Sequence, residues 1–283
     1  MPEPPSTKPL GSPFLELQSV ESTNNYAREQ IKAVSLPENA GGYQQALHGT
    51  AIFAHEQLTG KGQRNKTWNS EKGSNIILSL VIKPQPLQLA AQFQLNACVA
   101  VAVHEFFMKY AGDDTKIKWP NDLYWQDRKA GGVLIESLVR SRESGKGSSA
   151  SGPDSYREEK RAAQWEWAII GMGININQTV FPAELPNPVS LKQITGKNFN
   201  AVDFAKELCT VLDERFNELI NHGFDRIYST YLLHLYKKNE KVRLKKDNRV
   251  FEAIIKTITP AGRLVVQHAI EEEFGFGEVE WLI

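Results

Sequence analysis

Four short stretches of this 283-residue chain carry residue types that could do chemistry. The first is the loop Gln57–Trp68, which gathers Lys61, Arg64 and Lys66 among glycines and small polar residues. Glycines let backbone N–H groups approach an anion and cations neutralise it, so such a loop suits a phosphate or a mixed anhydride. It lacks the spacing of a P-loop and is a different device. The second is KIKWPNDLYWQDRKAGGVLIES, Lys116 to Ser137. There a strand runs into Pro120, Asn121 and Asp122 follow at its end, and Lys129 precedes Gly131-Gly132. Asp122 is suited to Mg²⁺ or to orienting an amine. The third is GMGININ, Gly171 to Asn177, directly after the strand-like WEWAII, where glycines admit a close neighbour and Asn175 offers an amide. The fourth is ESTNNYARE, where Ser22 and Thr23 present hydroxyls and open N–H groups at a helix start, a setting for a carboxylate or ureido group. Each stretch alone has a plain alternative: a solvated loop, a turn, a bulge, an N-cap.

The elements that must position these residues read as α+β: a mixed sheet with helices, then a small all-β domain. Residues 1–13 read as a flexible tail. Ser22 to Ile31 reads as a helix, Ala51 to Ala54 and Ile76 to Ile82 as strands, and about Leu87 to Tyr110 as a mostly buried helix. Strand-like pieces follow at Lys116 to Trp119, Gly132 to Leu138 and Trp165 to Ile170. Between the last two, residues 141–163 are polar, Ser/Gly-rich and aperiodic, and read as a flexible insertion in a hairpin. Residues 203–220 repeat apolar positions on one helical face, and about Phe224 to Leu235 reads as another helix. Beyond Lys238 four short strands, the first two joined at Asp247-Asn248, suggest a small barrel or sandwich. The expected division is 14–236 and 237–283.

Composition excludes several classes. Hydrophobic residues are 41% and charged residues 23%, and 33 basic residues balance 33 acidic ones. That is ordinary for a globular protein and argues against whole-chain capture of nucleic acid or anionic membrane. No apolar run has the length of a membrane span, and the N-terminus lacks the apolar region of a secretory signal. Two cysteines far apart, Cys98 and Cys209, fit a reduced, cytoplasmic setting.

Together and in this order, the four stretches resemble the biotin protein ligases, from about Phe14 to the C-terminus. Ser22-Thr23-Asn24 matches the family's STN helix. GKGQRNKTW, Gly60 to Trp68, stands where the family has a basic loop close to GRGRxGRxW. KWPND is intact at Lys118 to Asp122, DRK-x-x-G at Asp127 to Gly132, and GxGIN at Gly171 to Asn175. The resemblance implies a class II aminoacyl-tRNA synthetase-like catalytic fold with a small SH3-like C-terminal barrel. It implies a ligase forming C–N bonds: biotin and ATP give biotinyl-5′-AMP, and biotin then passes to a lysine of a biotin carboxyl carrier domain of acetyl-CoA carboxylase. ATP with Mg²⁺ and biotin are then substrates, and no tightly bound cofactor is expected.

By the same resemblance, Ser22, Thr23, Asn24 and Gln57 are biotin contacts, and Lys61, Gly62 and Gln63 close over biotin and its adenylate. Lys129, beside Gly131, meets the biotin carboxyl and the reacting phosphorus. Arg64, Lys66, Trp68, Asn121, Asp122 and Asn175 serve ATP, with Asp122 also the Mg²⁺ residue. Lys129, Asp122 and Lys61 are the expected catalytic groups. The basic loop departs from the family: Lys61, Gln63 and Lys66 replace arginines and Asn65 replaces a glycine. Lysine brings charge without a bidentate fork, and Gln63 brings none where the family retains its adenylate. Alternatives are a lipoate ligase, which shares the acyl-adenylate logic, and a non-catalytic biotin sensor. A DNA-binding role is not expected, because about a dozen residues precede the catalytic start. Homodimerisation stays open.

Overall fold

The computed structural model describes residues 8–34, 47–63, 66–140 and 164–282. Arg64, Asn65 and the expected insertion 141–163 lie outside the described residues, as do the first seven residues of the expected tail. Within that tail, Leu10 is only 6% exposed and its amide donates to Asp213 Oδ1 at 2.8 Å, so order begins before Phe14.

Seven strands form a mixed sheet in the order β1-β2-β3-β7-β6-β5-β4. They are β1 Phe14–Leu17, β2 Ala51–Ala54, β3 Ile76–Ile82, β4 Thr115–Lys118, β5 Asp122–Trp125, β6 Arg128–Arg140 and β7 Gln164–Ile174. Only β1 and β2 pair in parallel; every other ladder of this sheet is antiparallel. The helices are α1 Thr23–Val34, α2 Gln92–Ala111, α3 Leu191–Thr195, α4 Ala201–His222 and α5 Asp225–Leu233.

Side chains alternate across a strand, so each strand serves two layers. Phe53, Leu78, Leu80, Ile170 and Met172 face a core built with Leu95, Phe106, Leu208 and Leu212 of α2 and α4. Their neighbours Ile52, Val81, Trp167 and Ile169 turn to the other face, where Ala27 and Ile31 of α1 cover them. Helix α1 covers only part of that face. Further along β7, on the same face, the bulky residues give way to Gly171 and Gly173. Strand β7 carries no bulky side chains of its own there, and Asn24 and Trp68 approach its backbone.

A second sheet, wholly antiparallel, has the order β11-β10-β9-β8-β12, with β8 Lys241–Lys246, β9 Arg249–Ile258, β10 Leu264–Gln267, β11 Glu271–Phe274 and β12 Glu280–Leu282. This is five strands rather than four: β11 is the added one. Asp247, at φ 52°, turns β8 into β9 as its sequence suggests. Leu244, Ile255 and Val266 pack with Ala97 and Val101 of α2 and Tyr231 of α5, so α2 is buried between two cores.

Candidate active site

A pocket of about 380 Å³ lies on this part of the sheet, within the size range of small-molecule sites. Its floor is read off the ladder. Ile77 of β3, Gly171 and Gly173 of β7, Gly132 and Leu134 of β6, Asp122 and Tyr124 of β5, and Lys118 of β4 fall on one face by pairing and alternation.

One end of the pocket is uncharged. Ser22, Thr23 and Asn24 are buried at the start of α1. Thr23 donates through its amide to Gln57 Oε1 at 2.9 Å, and its hydroxyl lies 3.2 Å from the same oxygen. Ser79, buried on β3, places its hydroxyl 2.8 Å from Thr23 Oγ1 and 2.6 Å from Asn24 Oδ1. Nothing in the sequence singled out Ser79; it stands inside an apolar run, and a buried hydroxyl there needs partners. Asn24 Nδ2 is buried with no acceptor among the described residues, which marks it as a donor for a bound molecule. A Cβ on Gly171 would stand 3.0 Å from that atom, so only glycine lets α1 sit this low.

The middle of the pocket is charged. The β5–β6 ladder slips between Leu123 and Tyr124. That bulge sends Ala130 into the core and returns Lys129 to the pocket face. Lys129 Nζ reaches Asp122 Oδ1 at 2.7 Å. Asn175 lies behind this pair: its amide Nδ2 donates to Val189 O at 3.1 Å and its backbone N–H to Ala130 O at 2.8 Å, bracing the strand that carries Lys129. Asn175 lines the pocket as the first residue past β7, since the strand continues through GMGI instead of stopping before it.

The far end belongs to Lys118, a residue the motif reading passed over. Its Nζ donates to the Tyr124 hydroxyl at 3.2 Å and lies over the rings of Tyr124 (4.9 Å) and Trp281 (5.4 Å). Burial pushes its pKa down to about 8; Asp122 opposes this, and Lys129 and Lys66 add to it. Phe276 and Val279, between β11 and β12, and Glu280 and Trp281 of β12 wall this end.

The loop Gly60–Trp68 roofs the site. It closes on itself through Gly62 N–H to Lys66 O at 2.6 Å and Trp68 N–H to Gly60 O at 2.9 Å. Lys61 donates to Asn25 Oδ1 at 2.7 Å, on the uncharged side. Gln63 crosses to the opposite wall, where its Nε2 donates to Asn121 Oδ1 at 2.7 Å and to Val133 O at 2.9 Å. The Trp68 indole lies on the backbone of Gly173, where a Cβ would come within 2.7 Å of its Nε1.

The structure thus brings together Ser22, Thr23, Asn24, Gln57, Lys61, Gly62, Gln63, Lys66, Trp68, Asp122, Lys129 and Asn175 around one space. Two expected contacts stand back from it. Asn121 does not line the pocket; it is buried in the β4–β5 turn and bonded to Gln63 and Asn96. Gly131 does not line it either, since a Cβ there would point at Gly173 O, 2.8 Å away. Among the described residues no three of His, Cys, Asp and Glu gather as a metal cage. One carboxylate with a free oxygen does fit Mg²⁺ arriving with a phosphate group, since that ion takes one or two carboxylates plus phosphate oxygens. Asp122 keeps Oδ2 for it. Among the described residues, no helix is long and apolar enough to cross a membrane.

Residues 18–152 match the biotin/lipoate A/B protein ligase family. The bifunctional ligase/repressor BirA of Bacillus spizizenii is 31% identical over 225 residues, covering 78% of this chain and 59% of that protein. Its counterpart in Bacillus subtilis is 32% identical over 186 residues, 64% of this chain and 50% of that protein. The chain therefore spans little more than half the length of these relatives. The biotin–acetyl-CoA-carboxylase ligase of Paracoccus denitrificans is 27% identical over 229 residues, 78% of this chain and 85% of that protein. In fold, the chain is similar to the biotin protein ligase of Aquifex aeolicus in complex with biotin and ATP. The TM-score is 0.71 at 22% identity, over 96% of this chain and 99% of that one.

Proposed function

With residues 18–152 matching the biotin/lipoate A/B protein ligase family, we propose that the chain is a cytoplasmic biotin–protein ligase. It joins biotin to ATP as biotinyl-5′-AMP and then passes biotin to a lysine of a biotin carboxyl carrier domain. The observation that carries this reading is the polarity gradient of one pocket: uncharged donors and acceptors at Ser22, Thr23, Asn24 and Gln57, then the Lys129–Asp122 pair, 2.7 Å apart. Biotin has the same gradient, a ureido ring at one end and a carboxylate at the other. A dithiolane ring would leave Asn24 Nδ2 without an acceptor, which favours biotin over lipoate.

In this reading the ureido group lies against α1 and the carboxylate points at Lys129. A carboxylate and a triphosphate repel, so bringing them together is most of the task. The Lys129 ammonium attracts both anions. Asp122 fixes that ammonium through one oxygen, and the other suits the Mg²⁺ that accompanies the nucleotide and neutralises its phosphates. A carboxylate oxygen bonds the α-phosphorus while the bond to the bridging oxygen breaks, and pyrophosphate leaves with the electron pair. The acceptor lysine, as the free amine, then attacks the acyl carbon and AMP departs. After pyrophosphate has left, the second oxygen of Asp122 receives the proton lost from the amine. Trp68 offers its flat face for adenine.

The test is mass spectrometry of a biotin carboxyl carrier domain after incubation with the chain, biotin, ATP and Mg²⁺. One biotin adduct on one lysine is expected. No adduct, or an equal adduct from lipoate, refutes the reading.

A further inference from the structure

We infer that Lys118 is the group that receives the departing pyrophosphate. This deepens the proposed function and rests on it. Strand order sets the positions of the ligands. The uncharged end of the pocket lies over β3 and β7, Lys129 is on β6, Asp122 and Tyr124 are on β5, and Lys118 is on β4. Neighbouring strands are about 4.8 Å apart, so Lys118 stands roughly 10 Å beyond the strand of Lys129, on the side away from the uncharged end. In phosphoryl chemistry the attacking and leaving oxygens stand in line across the phosphorus. With the carboxylate arriving from the β7 side to a phosphorus at Lys129, the leaving group must depart toward β4.

The chemistry of Lys118 suits that place. Lys129 is already paired with a carboxylate, and Lys61 is turned toward Asn25. Among the described residues Lys118 has no carboxylate within ion-pair distance; it holds one hydroxyl and two aromatic faces. An ammonium has three donors, so two remain for phosphate oxygens. The rings of Tyr124 and Trp281 keep water off the cation, which strengthens its attraction for an anion. No proton moves: the electron pair leaves on the bridging oxygen, and Lys118 stabilises the added charge through hydrogen bonds.

The test is biotin-dependent exchange of labelled pyrophosphate into ATP, with the full chain and its Lys118→Met, Lys118→Gln and Lys118→Arg variants. In the Met and Gln variants the KM for pyrophosphate is expected to rise by roughly tenfold or more, the worth of a charge-assisted contact. Their Kd for biotin, and the rate of transfer from pre-formed biotinyl-5′-AMP, which carries no pyrophosphate, should stay within about twofold of wild type. Lys118→Arg, which keeps the charge, should recover most of the exchange. An unchanged pyrophosphate KM in both neutral variants, or an equal loss in transfer from the pre-formed adenylate, overturns the inference and leaves the proposed function standing. A wild-type chain with no exchange overturns both.

Discussion

Gln63 occupies a position where a cation was expected, and its two hydrogen bonds give that departure a measurable meaning. Among its described residues, the loop Gly60–Trp68 is closed by backbone bonds and tied to Asn25 on one side by Lys61; Gln63 Nε2 links it to the far wall, at Asn121 Oδ1 and Val133 O. Gln63→Ala removes both bonds. At about 1 kcal/mol for each neutral bond the loop loses about 2 kcal/mol, and a ligand beneath it should leave about 30-fold faster. Gln63→Glu should be worse than alanine, because a carboxylate would face two acceptors and can donate to neither. Both bonds are neutral, so the ratio of the Gln63→Ala release rate to the wild-type rate should change little with ionic strength. The assay is a chase of labelled biotinyl-5′-AMP from the enzyme, read as a dissociation rate. A rise below about threefold in Gln63→Ala, or slower release from Gln63→Glu than from Gln63→Ala, refutes the latch.

Lys129→Ala should lower adenylate formation by about 100-fold or more with the fold intact, measured as pyrophosphate release; a near-normal rate removes Lys129 from the mechanism. Gly173→Ala places a methyl group against the Trp68 indole, an overpacking of about 1–3 kcal/mol, and calorimetry should show weaker ATP binding with biotin binding little changed. His104 is wholly buried, 4.2 Å ring to ring from His234, and burial first, then His234, holds its pKa down to about 4 against 6.5 ordinarily. The neutral ring is the folded form, so its stabilisation is full above pH 6.5 and is lost as pH falls toward 4, about 2 kcal/mol of it by pH 5. Urea unfolding at pH 7.5 and 5 should show this difference shrink in His104→Gln; an equal pH dependence in that variant contradicts the assignment.

The sequence was most legible where one physical signal acted alone. Ala51–Ala54 and Ile76–Ile82 are apolar runs buried on both faces, and their limits match the strands. Strand β5 was hidden because its first residue, Asp122, belongs to a motif that reads as a turn, and the strand follows that turn at once. Strand β11 was hidden by Glu271, Glu272 and Glu273; it is an edge strand, pairs through backbone to β10 alone, and buries only Phe274. In the site, motif residues near one another in sequence were found together. What was missed needed the third dimension. Ser79 is polar inside an apolar strand, and Trp281 lies more than 150 residues from the Lys118 it covers. The glycines of GMGIN were legible as a close approach, but not as the interior of a strand with α1 on one glycine and Trp68 on the next.

The β6–β7 ladder has a practical consequence for anyone building on this scaffold. Leu134 and Gly171 pair at the pocket, whereas Arg140 and Gln164 pair where the two strands part. Six residues separate these points along β6, about 20 Å of rigid ribbon. A reporter, purification handle or second protein spliced in place of residues 141–163 would therefore hang from the end of the ribbon remote from the chemistry. Such a fusion should keep its ligand affinities, which makes this junction a natural point of attachment.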